Sequence, residues 1–134
     1  MLDSIIALAV IANLKNRRRY SQVRWYMNPC FFLSEFCSIH IDIGRATGKT
    51  QCIIEIAKEN DVVLVKDSFM KQSMIAKGMK SKYVFCSIEE MKIEVLGIKD
   101  IEFVYIDEPH LIKDVEEIYY MFGRYTPTFI FLGK

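Results

Sequence analysis

The chain offers little with which to staple itself covalently or through zinc. Its four cysteines, Cys30, Cys37, Cys52 and Cys86, form no C-x-x-C pair, and only two histidines accompany them. That spacing argues against a zinc site and suits scattered buried thiols in a reducing compartment. No apolar run is long enough to cross a bilayer alone; Leu2–Leu14 is short, has no positive charge ahead of it and no small-residue cleavage site behind it. Cytoplasmic localisation is therefore expected. Repeats, low-complexity tracts and a second domain are missing as well. Nor does one sign of charge dominate: the net charge is +1, with five Lys/Arg against two acids in residues 1–36 (+3) and thirteen against fifteen in residues 37–134 (−2). Such a balance does not by itself indicate nucleic-acid binding.

What is present fits one globular domain, 1–134. At 134 residues, with 51% apolar and 26% charged side chains, the chain can bury a core of its own. Residues 1–36 read as an N-terminal helix and an aromatic connector, and residues 37–134 as a core. Asp3 or Ser4 can cap a helix starting near Ile5. Ile5, Ile6, Leu8, Val10, Ile11 and Leu14 leave that helix little polar face, so the domain, a partner or a membrane surface must cover it. Lys15 and Arg17-Arg18-Arg19 follow, either touching phosphates or forming a solvated helix end that suits the dipole. In the connector, Trp25 to Phe32, Asn28-Pro29 breaks any helix and biases the chain extended. Its aromatic rings either sandwich a base or pack in the core.

From Cys37 onward strands and helices alternate. Strands are expected at Ser38–Ile43, Asp61–Lys66, Lys82–Cys86, Glu102–Ile106 and Thr128–Leu132. Helices are expected at Lys49–Glu59, Met70–Lys77, Ile88–Leu96 and Ile112–Phe122. This pattern predicts an α/β fold, a mainly parallel five-stranded sheet between two helical layers, with the N-terminal helix as an extra.

Two stretches carry chemistry. Ile39 to Thr50 runs from an alternating strand into Gly44-Arg45-Ala46-Thr47-Gly48-Lys49-Thr50 and then, through Gln51, into a helix. A strand, a glycine-bearing loop and a helix N-terminus present backbone N–H groups to phosphates; Lys49 adds charge and the Thr50 hydroxyl can ligate Mg²⁺. Gly44 and Gly48 enclose three residues where the usual phosphate loop has four, so a loop of normal length places Ile43 at the first-glycine position. The second stretch is Ile101 to Glu108, a buried strand that delivers Asp107 and Glu108 at its C-terminal edge, where ligands bind in open α/β sheets. There Asp107 can share Mg²⁺ with Thr50, and Glu108 can polarise an attacking water. Pro109-His110 follows; His110 either senses a phosphate or polynucleotide or has no role.

These residues resemble the additional-strand P-loop NTPases, and within that class the phage terminase large-subunit ATPase, a DNA-packaging motor. The resemblance implies a three-layer P-loop NTPase fold with Thr128–Leu132 inserted between Ser38–Ile43 and Glu102–Ile106. It implies ATP and Mg²⁺ as cofactors, binding by residues 44–51, Glu108 as the catalytic acid, Lys49 and Arg45 as catalytic cations, and Trp25 to Phe32 against adenine. It also implies a phage or virus protein acting with nucleic acid, as a homo-oligomer or beside a larger motor. The polar coupling motif of terminases and helicases is replaced by Leu132-Gly133-Lys134, which admits a trimmed motor domain, a standalone ATPase or a subunit. A non-hydrolysing nucleotide-binding regulator is the alternative. A third is a nucleoside kinase, because Asp107-Glu108-Pro109-His110-Leu111-Ile112-Lys113-Asp114 is similar to a segment of zinc-ribbon thymidine kinases. The absence of Asn-Lys-x-Asp favours adenine over guanine.

Overall fold

A computed structural model describes residues 2–20, 22, 26–42, 48–109, 113–123 and 125–133. Helix α1 spans Leu2–Arg19 and α2 spans Pro29–Phe36; strand β1, Ser38–Ile41, leads to α3, Lys49–Ile56. Then come β2 (Val62–Leu64), α4 (Ser68–Ala76), β3 (Tyr83–Phe85), α5 (Ile88–Val95), β4 (Phe103–Asp107), α6 (Val115–Met121) and β5 (Thr128–Leu132). The five strands form one all-parallel sheet in the order β1-β5-β4-β2-β3. As expected, the last strand in sequence lies between the first and the fourth.

Alternation along the strands sorts the core onto two faces. Val62, Leu64, Val104, Ile106, Phe129 and Phe131 join Leu33 of α2, Met91 of α5 and Ile118 of α6 in one cluster. Their neighbours Val63, Tyr105, Ile130 and Leu132 join Ile6 of α1, Ile53 of α3 and Met74 of α4 in the other. Both faces of the sheet are thus covered, which is why the strands read as near-continuous apolar runs. Phe129, Ile130 and Leu132 are fully buried, and each such side chain contributes roughly 1.5–3 kcal/mol by leaving water.

Two expectations are corrected. The connector is not extended after Asn28-Pro29: Pro29 opens α2, and the Asn28 side chain caps it by accepting from the Cys30 N–H at 2.8 Å. A proline lacks only an N–H that the first turn would leave unbonded, so the dipeptide that ends helices also starts them. And α1 begins at Leu2, which puts Asp3 inside its first turn rather than ahead of it. Arg18 and Arg19, in the last turn of α1, are exposed as a solvated basic helix end, whereas Arg17 turns inward. Its guanidinium donates to the Thr126 carbonyl at 2.6 Å and to Thr128 Oγ1 at 2.9 Å, tying α1 to the start of β5. No helix among the described residues is long and apolar enough to cross a membrane.

Candidate functional site

The parallel sheet brings the C-terminal ends of β1, β5 and β4 together, and backbone bonds stitch them there. Asp107 pairs in register with Leu132. Beyond that pair the Glu108 N–H donates to the Leu132 carbonyl at 3.2 Å, and the Gly133 N–H donates to the Ile41 carbonyl at 2.9 Å. Glu108 adopts φ +59°, a left-handed backbone in a non-glycine residue. That conformation costs roughly 1–2 kcal/mol, and such residues cluster where a structure positions function.

Helix α3 faces this edge with its N-terminus. Gly48 caps it at φ +77°, where no Cβ has to be accommodated, and its carbonyl accepts the Cys52 N–H at 2.8 Å. The first two helical residues then reach the carboxylates. Thr50 Oγ1 donates to Asp107 Oδ2 at 3.0 Å. Lys49 Nζ lies 3.8 Å from Glu108 Oε1, and the lysine is 9% exposed. A buried ammonium needs anionic company, and here one carboxylate supplies part of it.

Asp107 is 4% exposed, and burial pushes its carboxyl above the usual range; the Thr50 hydrogen bond and the Lys49 and Lys66 charges pull the other way. Its Oδ1 is buried without a hydrogen-bond partner among the described residues. A buried carboxylate oxygen beside a hydroxyl, both hard oxygen donors, suits a small divalent cation that keeps several waters of its own. No group of three or more His, Cys, Asp or Glu that could hold a metal occurs among the described residues, so such an ion would rest on Thr50, Asp107 and its other ligands from solution or substrate.

Comparison with known protein families, curated proteins and solved structures finds no match. The site stands on its geometry.

Of the residues expected to act, Gly48, Lys49, Thr50, Asp107 and Glu108 are brought together. Gly44, Arg45, Ala46 and Thr47 lie outside the described residues, as do Ile43, Trp25 and His110. The Gln51 side chain donates to Glu55 at 3.2 Å, along the outside of its own helix. In the connector Phe32 is buried against the sheet, which removes it as a platform for a base, while Tyr26 and Phe31 are exposed.

Three contributors escaped the sequence reading. Gly133, at φ +115°, sits so close that a Cβ there would lie 3.4 Å from both Lys49 Nζ and Pro109 Cδ. Lys66 and Lys113 line a cavity of about 370 Å³ together with Asp107, Glu108, Leu64 and Cys86. Lys66 follows β2 on the edge that carries the acids, so asking what each strand delivers at its C-terminal end would have found it.

Proposed function

We propose that the chain is a Mg²⁺-dependent P-loop NTPase that binds and hydrolyses ATP. The observation that supports this most directly is the Thr50–Asp107 hydrogen bond, which joins a glycine-capped helix N-terminus to the acid at the end of a parallel strand. Thr50 and Asp107 would hold the cation, which draws charge from the phosphate oxygens when bound. Lys49 meets the phosphates, exchanging its Glu108 partner for the incoming anion. Glu108, held at the edge by its bond to Leu132, orients a water and takes its proton as it attacks. Arg45, by resemblance, stabilises the charge of the transition state, and nucleic acid is the partner the same resemblance suggests.

The test is phosphate release from ATP with Mg²⁺, with and without single- and double-stranded DNA, for the native chain, Lys49→Ala and Glu108→Gln. Turnover that both variants abolish supports the reading. Turnover unchanged in either removes the assigned role. Tight binding with no turnover in any form makes the chain a nucleotide-binding regulator instead.

The cavity beside Glu108 favours a second reading, a nucleoside kinase. Its volume of about 370 Å³ falls in the range of small-molecule sites. An acceptor hydroxyl placed there would meet Glu108 as its base. Thymidine offered with ATP, and monophosphate sought as product, separates the two reactions.

A further inference from the structure

The domain covers only one side of α1. Leu2 and Ile6 are buried in the core on that face of the sheet, while Leu8 is 69% and Ile11 53% exposed. Leu8, Ile11, Lys15 and Arg18 recur at i, i+3, i+7 and i+10, which places them along one outward line of the helix. The exposed small residues Ala7 and Ala12 flank that line, and exposed Arg19 stands beside its end. The outward face of α1 therefore passes from apolar to basic.

Helix α4 lies on the same side of the sheet, with Met74 in the same core cluster as Ile6. It repeats the combination: Ile75 is 54% exposed, and Lys77 and Lys80 follow it, also exposed. The cations of the two helices share an edge. Arg17 ties the end of α1 to the start of β5, and α4 runs from the end of β2 back towards the start of β3. Lys15, Arg18, Arg19, Lys77 and Lys80 thus gather where the strands begin, opposite the edge that holds Asp107 and Glu108. The acids at that edge do not cancel them. Glu59 and Glu102 pair with Lys82 and Lys58, Asp100 adjoins exposed Lys99, and Glu35 sits on α2 in the other helical layer. Between α1 and α4 this leaves Glu55 in the last turn of α3.

We propose that this face docks on an anionic lipid bilayer, with α1 lying in the headgroup layer. Leu8 and Ile11 then leave water for the acyl boundary, and the basic residues meet the lipid phosphates. No helix among the described residues can cross a bilayer, so the chain would lie on the membrane rather than span it. A nucleic acid would satisfy Arg18 and Arg19 but leave Leu8 and Ile11 in water. A protein groove that takes one helix would cover α1 and leave Ile75, Lys77 and Lys80 unused. The pattern is instead spread over two helices with α3 between them, packed on α1 and on β4, which suits a broad surface. Docked by this face, the chain keeps the opposite edge open to solvent. The inference is independent of the nucleotide reading.

The test is co-sedimentation of the full chain with vesicles of phosphatidylcholine alone and of an equal mixture of phosphatidylcholine and phosphatidylserine, at low and high salt. One variant carries Arg18→Glu and Arg19→Glu, a second Leu8→Ser and Ile11→Ser, and a third Ile93→Ser, an exposed apolar residue of the other helical layer. All these positions are exposed, and unchanged circular dichroism and melting serve as the folding control. The native chain is expected to partition onto the mixed vesicles at least about tenfold more strongly than onto phosphatidylcholine, and to lose that preference in high salt. The arginine and the leucine–isoleucine variants should each lose about tenfold or more on the mixed vesicles, and Ile93→Ser should bind as the native chain does. A native chain that ignores vesicles, or binds both kinds equally, overturns the proposal. So does a leucine–isoleucine variant that binds undiminished, which would reduce the contact to charge alone, or an Ile93→Ser variant that loses as much. Self-association or duplex-DNA binding through the same residues, with vesicles ignored, assigns the face to that occupant instead.

Discussion

Thr50 and Asp107, 57 residues apart in the chain, meet through a 3.0 Å hydrogen bond from hydroxyl to carboxylate. The bond joins α3 to the end of β4, and it satisfies one Asp107 oxygen while the other has no hydrogen-bond partner among the described residues. Thr50→Val keeps the shape and removes the donor, leaving the carboxylate short of both partners. Loss of a donor to a buried polar group costs about 1–3 kcal/mol. Urea unfolding should show a destabilisation in that range and Thr50→Ser should restore most of it. Mg²⁺-dependent ATP binding, followed by calorimetry, should weaken in the valine variant and survive in the serine variant.

Lys49 and Glu108 face each other across 3.8 Å but are assigned different tasks. Lys49→Ala should abolish nucleotide binding, because the phosphates lose the side chain that meets them. Glu108→Gln should leave binding within a few-fold and lower turnover by about 100-fold or more, the usual contribution of a positioned general base. Single-turnover kinetics with separately measured binding checks the split. If Glu108→Gln lost binding and turnover equally, its role would be structural.

Two glycines with positive φ make a paired experiment. Gly78 (φ +91°) has nothing within 4 Å of a Cβ added to it, whereas at Gly133 (φ +115°) the added Cβ would lie in contact with Lys49 Nζ and Pro109 Cδ, 3.4 Å from each. Alanine at either position meets the steric cost of a left-handed backbone, about 1 kcal/mol. Only Gly133→Ala also sets a methyl group against the lysine. Thermal melts should therefore fall for both variants, while ATP binding falls for Gly133→Ala and holds for Gly78→Ala. Equal effects on binding would show that Gly133 is not part of the site.

How far the sequence could be read depends on how local each cause is. β5 was legible to the residue, because Thr128 to Leu132 is an apolar run bounded by Pro127 and Gly133. Its insertion between β1 and β4 came from family resemblance, since strand order is a non-local property. α2 was missed because Asn-Pro is ambiguous: it ends one helix or caps the next, depending on which side the following apolar residues can bury. The left-handed backbone of Glu108 had no sequence signal; it occurs where the Glu108 N–H bonds to the Leu132 carbonyl, just past the end of β4. Gly133 read as the place where a coupling motif was missing; its closeness to Lys49 exists only once three strands are aligned. Arg17 read as phosphate-binding or solvated, and its partners Thr126 and Thr128 lie more than a hundred residues downstream.

Asp61 offers a test that does not involve the site. It is 3% exposed, just ahead of β2, and its Oδ2 accepts the Lys58 N–H at 2.8 Å. Burial pushes its carboxyl above the ordinary 3.8; the Lys58 hydrogen bond and charge oppose the rise, and Glu102 adds to it. Because the folded value lies above the unfolded one, the folded state holds the proton over a pH range in which the unfolded state has released it. The contribution of Asp61 to stability is therefore complete below its unfolded value and is lost as pH rises through the folded one. Asp61→Asn removes the titration while keeping an oxygen that can accept from Lys58. In urea unfolding between about pH 3 and pH 7, the stability of the native chain relative to Asp61→Asn should be greatest in acid and decline as pH increases. A relative stability that instead grew with pH would mean that hydrogen bonding to the ionised form outweighs burial at Asp61.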